Sequence, residues 1–229
     1  DRFMKKRISM ILVGSLLLAS FNDVKADLLK EQSDKVESFT SEDSIMNNAT
    51  GKESVKPVKF PQYYQADARW GSKRYGISNM KISGCVPTSL SMVLSVLKEE
   101  VTPVQVADYI YNTSTEMNTM FVGTSSDGAA AAIEHWGCNY RVINSKDDLK
   151  VALKSGNIVF GSVGHGLFVK GNGTHAIILS GYQNGKVNAI DPDNQEKTNK
   201  WYSIDEIWSQ RSMAPEDNSV GGPFMVISK

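Results

Sequence analysis

The sequence predicts an α+β domain, helical in its first half and built on an antiparallel sheet in its second. Three observations predict it. Four stretches with helix-start and helix-stop residues follow one another between residues 85 and 156. After residue 157 the apolar segments are short and rich in β-branched residues, as strands are. Two of those segments are joined by Asn184-Gly185, a pair that tolerates the positive φ of a two-residue hairpin turn. Helices followed by strands, rather than alternating with them, argue against a parallel βαβ sheet.

The helices come first. Gly84-Cys85-Val86-Pro87 leads into Leu90, Val93, Leu94 and Leu97, an i, i+3, i+4, i+7 stripe, and Pro87 suits a first turn where its missing N–H costs nothing. Thr102 with Gln105 three residues on forms a capping-box pattern, and Val106, Ala107 and Ile110 give that helix an apolar face. A third helix is expected from about Asp127 through Ala132, Ile133 and Trp136, stopped by Gly137. A fourth starts at Ser145, has Asp148 at the capping-box position and ends near Gly156. The strands follow, at Ile158–Val163, Leu167–Lys170, His175–Tyr182 and Lys186–Asp191, with Cys138 opening an earlier one. Ser203 with Glu206 opens a short helix through Trp208, and Phe224–Ile227 closes as a strand.

Two segments of different character precede this domain. From Met4 the chain reads Lys5-Lys6-Arg7, then an apolar run from Ile8 to Phe21, then Val24-Lys25-Ala26: the basic, apolar and small-residue parts of a signal peptide over residues 4–26. Its apolar run falls short of the roughly 20 residues that span a bilayer comfortably. Residues 27–57 are rich in Ser, Glu, Asp, Lys and Asn and show no sustained apolar period, the composition of a flexible polar spacer. The domain itself is expected over residues 58–229 and holds all four Trp and all three His. Export implies an oxidising compartment and a secreted or extracellular protein, with cell-surface association also open. After removal of the signal, no contact with the membrane is expected.

Composition excludes several function classes. The whole chain carries 25 Lys+Arg and 25 Asp+Glu, which gives no support to a nucleic-acid partner. Loss of residues 1–26 would remove five basic and two acidic residues, leaving 20 and 23, a net charge of −3. Two cysteines make neither a disulfide framework nor a four-cysteine zinc site, and no HExxH is present. No cofactor and no metal are expected, and the chain is read as a monomer.

The chemistry candidates centre on Cys85. It follows a glycine at the start of an amphipathic helix, where backbone N–H groups and the helix dipole favour the thiolate, which is the nucleophile. Competing readings are a disulfide with Cys138, which export allows, and an inert buried thiol. A cysteine nucleophile needs a base and the base an orienting acceptor. His175 begins an apolar strand, and Asp191 ends the next one. An ideal turn at Asn184-Gly185 would pair Ile178 with Asp191 and place His175 on the opposite face, so a bulge is needed to unite them. His165, in Gly164-His165-Gly166, is the reserve base. His135 reads as a solvated helix residue.

Several motifs in order carry a resemblance: Tyr64-Gln65-Ala66-Asp67-Ala68-Arg69-Trp70, Tyr75-Gly76, Gly84-Cys85-Val86-Pro87-Thr88-Ser89-Leu90, Gly173-Thr174-His175-Ala176-Ile177 and Gly185 to Pro192. Together they resemble the branch of papain-like cysteine peptidases that includes the bacteriocin-processing, double-glycine leader peptidases (family thirty-nine). The resemblance spans about residues 58–229. It implies a papain-like fold, Cys85 as nucleophile, His175 as general base, Asp191 as the group that orients the imidazole, and Gln65 as an oxyanion-hole donor. Two positions depart from the family: Gln65 lies twenty residues before Cys85, and Val86 stands where many relatives have glycine. Leader peptidases of this family are commonly fused to a transporter. With no transmembrane or ATP-binding part in view, processing coupled to transport is not expected.

The function expected is therefore a secreted cysteine peptidase that hydrolyses peptide bonds in a peptide or protein substrate through an acyl-enzyme. Two alternatives stand beside it: a cell-wall hydrolase that cuts peptidoglycan peptides by the same mechanism, and a non-catalytic peptide-binding module of the same fold.

Overall fold

The computed structural model describes residues 54–229. The expected signal peptide and residues 27–53 of the expected spacer lie outside the described residues. Among the described residues no helix is long and apolar enough to cross a membrane.

The elements run β1 (Ser54–Val55), β2 (Arg74–Tyr75), β3 (Ser78–Asn79), α1 (Met80–Ser83), α2 (Cys85–Leu97), α3 (Pro103–Thr113), α4 (Ser126–His135), β4 (Asn139–Val142), α5 (Lys146–Lys154), β5 (Ile158–Val163), β6 (His175–Gln183), β7 (Lys186–Ile190), β8 (Lys200–Ser203), α6 (Ile204–Ser209) and β9 (Phe224–Ser228). Short 3-10 turns lie at Gln195–Lys197 and Glu216–Asn218.

The helix starts follow the capping chemistry of the sequence. Thr102 Oγ1 accepts the Gln105 N–H while Gln105 Oε1 accepts the Thr102 N–H, a complete capping box at α3. Ser145 accepts the Asp148 N–H at α5, but the Asp148 carboxylate reaches Asn144 N–H and Arg141 instead of closing the box. Gly137 and Gly156, which end α4 and α5, both take the left-handed φ that stops a helix.

The large sheet has the order β4-β9-β5-β6-β7-β8, with β1 also on β6, and every pair is antiparallel. Ser54 and Val55 pair with Gln183 and Tyr182, so the end of the stretch read as spacer already lies on the sheet.

Both faces of this sheet are covered. Ile158, Phe160, Ala176, Ile178, Met225 and Ile227 pack with α2, α3 and α4 in one core. Their strand neighbours Val159, Ile177, Leu179, Phe224 and Val226 pack with α5 and α6 in a second. This is why β5 reads as an unbroken apolar run: all six of its residues are buried. The helices are therefore not all gathered on one side. Helices α2, α3 and α4 cover one face, while α5 and α6 cover the other. Helix α2 is buried at every position from Val86 to Leu94, since α3, α4 and β6 enclose it.

One expected strand is absent. Leu167–Lys170 forms a turn with only a single bridge, His165 to Val169. The Gly164 N–H goes to the Gln210 carbonyl and the Leu167 N–H to Gln210 Oε1. The segment is thus tied to the end of α6 and not to a strand, and Phe168 is buried against Tyr202.

Candidate active site

Cys85 is the first residue of α2 and is half-buried. Helices α1 and α2 are separated by Gly84 alone, whose N–H donates to the Met80 carbonyl at 2.8 Å. A Cβ at Gly84 would collide with that same carbonyl, so the tight junction that presents Cys85 needs glycine. No side chain caps α2. Its first-turn N–H groups, at Cys85 and Val86, have no intrahelical partner by geometry, and Pro87 has none to offer.

His175 begins β6 and Asp191 directly follows β7. His175 Nε2–H donates to Asp191 Oδ1 at 2.7 Å, with both side chains largely buried. The bulge that the sequence requires is present. At the turn Gln183 pairs with Lys186, but by Ser180 the register has shifted by one, so that Ile178 faces Ile190. Extended by one pair, this places Asp191 across from Ile177, on the same face as His175. Gly181 sits inside the shift with φ +74°, the left-handed backbone of a glycine bulge. A Cβ there would also meet the backbone of Pro57.

Asp191 is held from several sides. Its N–H donates to Thr198 Oγ1, the Thr198 hydroxyl donates to its carbonyl, and the Asp193 N–H donates to Oδ1 at 2.9 Å. Burial works against the imidazolium of His175. The hydrogen bond to Asp191, and the closeness of Cys85 and of the Asp191 carboxylate, outweigh it and raise the His175 pKa to about 10. With Nε2 engaged by Asp191, Nδ1 is the nitrogen left for the sulfur. The group can therefore hold a proton on the imidazole beside Cys85.

Gln65 reaches this site despite its distance in sequence. The Tyr64–Trp70 segment is a knot: Trp70 Nε1–H donates to the Tyr64 carbonyl, and Asp67 takes two hydrogen bonds from the Arg69 guanidinium. The Gln65 N–H donates to the Pro192 carbonyl at 2.8 Å, next to Asp191. Its Nε2–H donates to the Lys81 carbonyl at 2.9 Å, in α1 just before Cys85. Gln65 thus bridges the two chain segments that carry the acid and the sulfur, and it lines one cavity with Cys85, His175 and Asp191.

The other candidates lie elsewhere. Cys138 is a free thiol buried in the helical core, and burial pushes its pKa up. Cys85 is also free, so the disulfide is not formed. His165 accepts the Gly171 N–H within its own loop and lines neither cavity that contains Cys85. His135 is exposed and stacks on Tyr109.

Two residues of the site environment carry no sequence signal. Asn118 is fully buried at φ +51°. Its Nδ2–H donates to Ser83 Oγ, its Oδ1 accepts the Gly123 N–H, and its carbonyl accepts the Ile77 N–H. It thereby fixes the 121–124 loop against the end of α1, two residues before Cys85. The Tyr75-Gly76 motif is explained here, since a Cβ at Gly76 would strike the Asn118 carbonyl. The second residue is Asp217, a buried carboxylate in the wall of the cavity that holds Cys85 and His175.

A family model described as the Peptidase_C39 like family matches residues 57–214. No curated protein matches the chain. Among solved structures, the peptidase domain of Streptococcus ComA is 16% identical with a TM-score of 0.45, covering 63% of this chain and 90% of that one. A C39-like peptidase from Bacillus anthracis is 15% identical with a TM-score of 0.48, covering 64% and 88%. A double glycine motif protease from an AMS/PCAT transporter, solved with its leader peptide, is 16% identical with a TM-score of 0.44, covering 75% and 91%. The fold class expected from the sequence, α+β and papain-like, is the one found.

Proposed function

The chain belongs to the Peptidase_C39 like family, and on that premise we propose that it is an exported cysteine peptidase working through Cys85, His175 and Asp191. The observation that carries this reading is the 2.7 Å bond from His175 to Asp191 with Cys85 beside the same ring.

In this reading His175 holds the Cys85 proton as an imidazolium, and Asp191 keeps the ring oriented and compensates its charge. The thiolate attacks the carbonyl carbon of a peptide bond, and the carbonyl π electrons move to oxygen. That oxyanion is received by the Cys85 N–H and by Gln65 Nε2, a pair of neutral donors suited to the charge that develops on the oxygen. The tetrahedral intermediate collapses with transfer of the His175 proton to the leaving amine, leaving a thioester on Cys85. Water, deprotonated by His175, attacks the thioester and releases the acyl group as a carboxylic acid with the thiol restored. The family supplies the class of reaction. Export rests on the basic, apolar and small-residue pattern of residues 4–26.

The test is alkylation of the mature protein with iodoacetamide at pH 6. One of two thiols should label rapidly, the label should fall on Cys85, and His175→Ala should slow it on the order of 10²-fold. Two unreactive sulfurs would sink the proposal. Cleavage of peptide libraries and of purified peptidoglycan, with Cys85→Ala as control, then decides the substrate. Action on peptidoglycan alone would make the protein a wall hydrolase instead.

A further inference from the structure

We infer that Asp217 turns the cavity beside Cys85 into a subsite for a cationic side chain, so that the preferred peptide carries Lys or Arg next to the bond that is cut. This rests on the peptidase reading and adds a substrate class to it.

Cys85 and His175 are shared by two cavities, one lined by acids alone and one by acids and lysines in equal number. One, of about 350 Å³, contains Glu216 and Asp217 and no Lys or Arg. The other, of about 390 Å³, contains Lys170 and Lys197, together with Asp193 and the His-bound Asp191. The sulfur lies where the two meet, so of the two cavities open to a bound substrate only the first is lined by uncompensated acids.

Asp217 is 7% exposed. Its Oδ2 accepts the Ser212 hydroxyl at 2.5 Å, and the hydroxyls of Thr174 and Ser162 lie within reach. Burial pushes its pKa up, against those hydrogen bonds. Among the described residues neither Asp217 nor Glu216 has a Lys or Arg within ion-pair distance. A buried carboxylate partnered only by neutral hydroxyls is incompletely compensated, and a cation placed beside it is attracted more strongly than at an open surface.

The rest of the cavity suits the stem of such a side chain. Ile82, Phe121 and Val122 line it, and Ile82 and Val122 are 67% and 58% exposed. Aliphatic walls leading to a carboxylate fit the methylenes and charged head of Lys or Arg. The acid is fixed where it must be: Asn218 Nδ2–H donates to the Ser212 and Ala214 carbonyls, and Ser219 Oγ accepts the Asp127 N–H at the start of α4.

The experiment uses peptide pairs that are identical except for Lys, norleucine or Glu at one position, scanned through the residues flanking the cleaved bond. The native enzyme should prefer Lys over norleucine at one position by about 10- to 100-fold in kcat/KM. In Asp217→Asn, which keeps the side-chain shape, that ratio should fall to within about twofold, and the loss on the Lys peptide should appear in KM rather than kcat. If Asp217 only supports Thr174 and the neighbouring His175, the variant will lower kcat on both peptides, slow alkylation of Cys85 and leave the ratio unchanged, which overturns the inference. Equal or greater preference for norleucine or Glu at every position also overturns it. Should the native enzyme cut no peptide, the peptidase reading fails by itself. Titration of the same peptides onto Cys85→Ala protein then decides the subsite, where about tenfold tighter binding of the Lys peptide supports it and equal binding ends it.

Discussion

The two sides of the cleft bring their residues to one point by different means. On the helix side, Cys85 is presented by a one-residue junction between α1 and α2. Gln65 and Asn118 then tie α1 to the surrounding loops through single hydrogen bonds. Each of those contacts ties one loop to α1. On the sheet side, His175 and Asp191 lie sixteen residues apart and meet only because β6 is bulged between Ser180 and Gln183. Side chains alternate between faces along a strand, so a one-residue error in that register sends a side chain to the wrong face. The difference is one of cooperativity: the helix side is assembled from local parts, whereas the sheet side is all or none.

The sharpest probe of the sheet side is the acid itself. Asp191→Asn keeps the shape but removes the charge that supports the His175 imidazolium, and should lower kcat/KM on the order of 10²-fold. The pH dependence follows with a definite sign. Burial opposes the charged ring, and Asp191 and Cys85 together raise its pKa to about 10. Without the carboxylate the pKa falls, so the alkaline limb of the kcat/KM profile moves to lower pH. Stability follows the same linkage. A folded-state pKa raised above the unfolded value stabilises fully below the unfolded value of 6.5 and is lost as pH rises through the raised one. The Tm gap between native and variant should therefore be widest near pH 6 and close towards pH 10. A gap that widens with pH would remove the imidazolium from the account.

Two glycines sharpen the comparison further. Gly181 and Gly185 have nearly the same positive φ, +74° and +76°. Around Gly185 nothing lies within 4 Å of an added Cβ, whereas at Gly181 the Cβ would press on Pro57. Gly185→Ala should cost about 1–2 kcal/mol, the strain of the left-handed backbone alone, with turnover intact. Gly181→Ala adds the clash, for about 2–4 kcal/mol, and disturbs the bulge. Turnover should then drop about tenfold or more. Thermal unfolding and kcat on the same samples check both. Equal losses of turnover in the two variants would mean that the bulge does not set the His175–Asp191 geometry.

The same difference explains what could be read from the sequence. Helix starts are local, and the Thr102, Ser145 and Ser203 caps each accept an N–H three residues on. The turn at Asn184-Gly185 is equally local, and its φ values fit. The need for a bulge was legible because two residues had to share a face, and only Gly181 in the shifted stretch could supply the left-handed backbone. The rest depends on contacts distant in sequence. Leu167–Lys170 has strand-like composition, but its Leu167 N–H is taken by Gln210, 43 residues on. Asn118 and Asp217 gain their meaning from Ser83, Ser212 and Thr174, which no spacing rule connects to them. The placement of α5 and α6 on the far face of the sheet was hidden because a strand buried on both faces loses the alternation that would reveal it.

The smallest expected effect is the one that bounds the all-or-none behaviour. Helix α5 packs on the face of the sheet away from α2, and its start is capped by Ser145 Oγ, which accepts the Asp148 N–H at 3.0 Å. Ser145→Ala removes that acceptor and leaves a first-turn donor to water, for a loss of about 1 kcal/mol. The Asp148 carboxylate still holds the Asn144 N–H and Arg141, so the helix should shorten at its end rather than detach. If the sheet transmits only register and not gradual strain, kcat and KM should stay within about twofold of the native values while Tm falls by a few degrees. A tenfold loss of turnover would show that the far face sets the position of His175 by continuous deformation, and the contrast between local parts and a cooperative sheet would have to be abandoned.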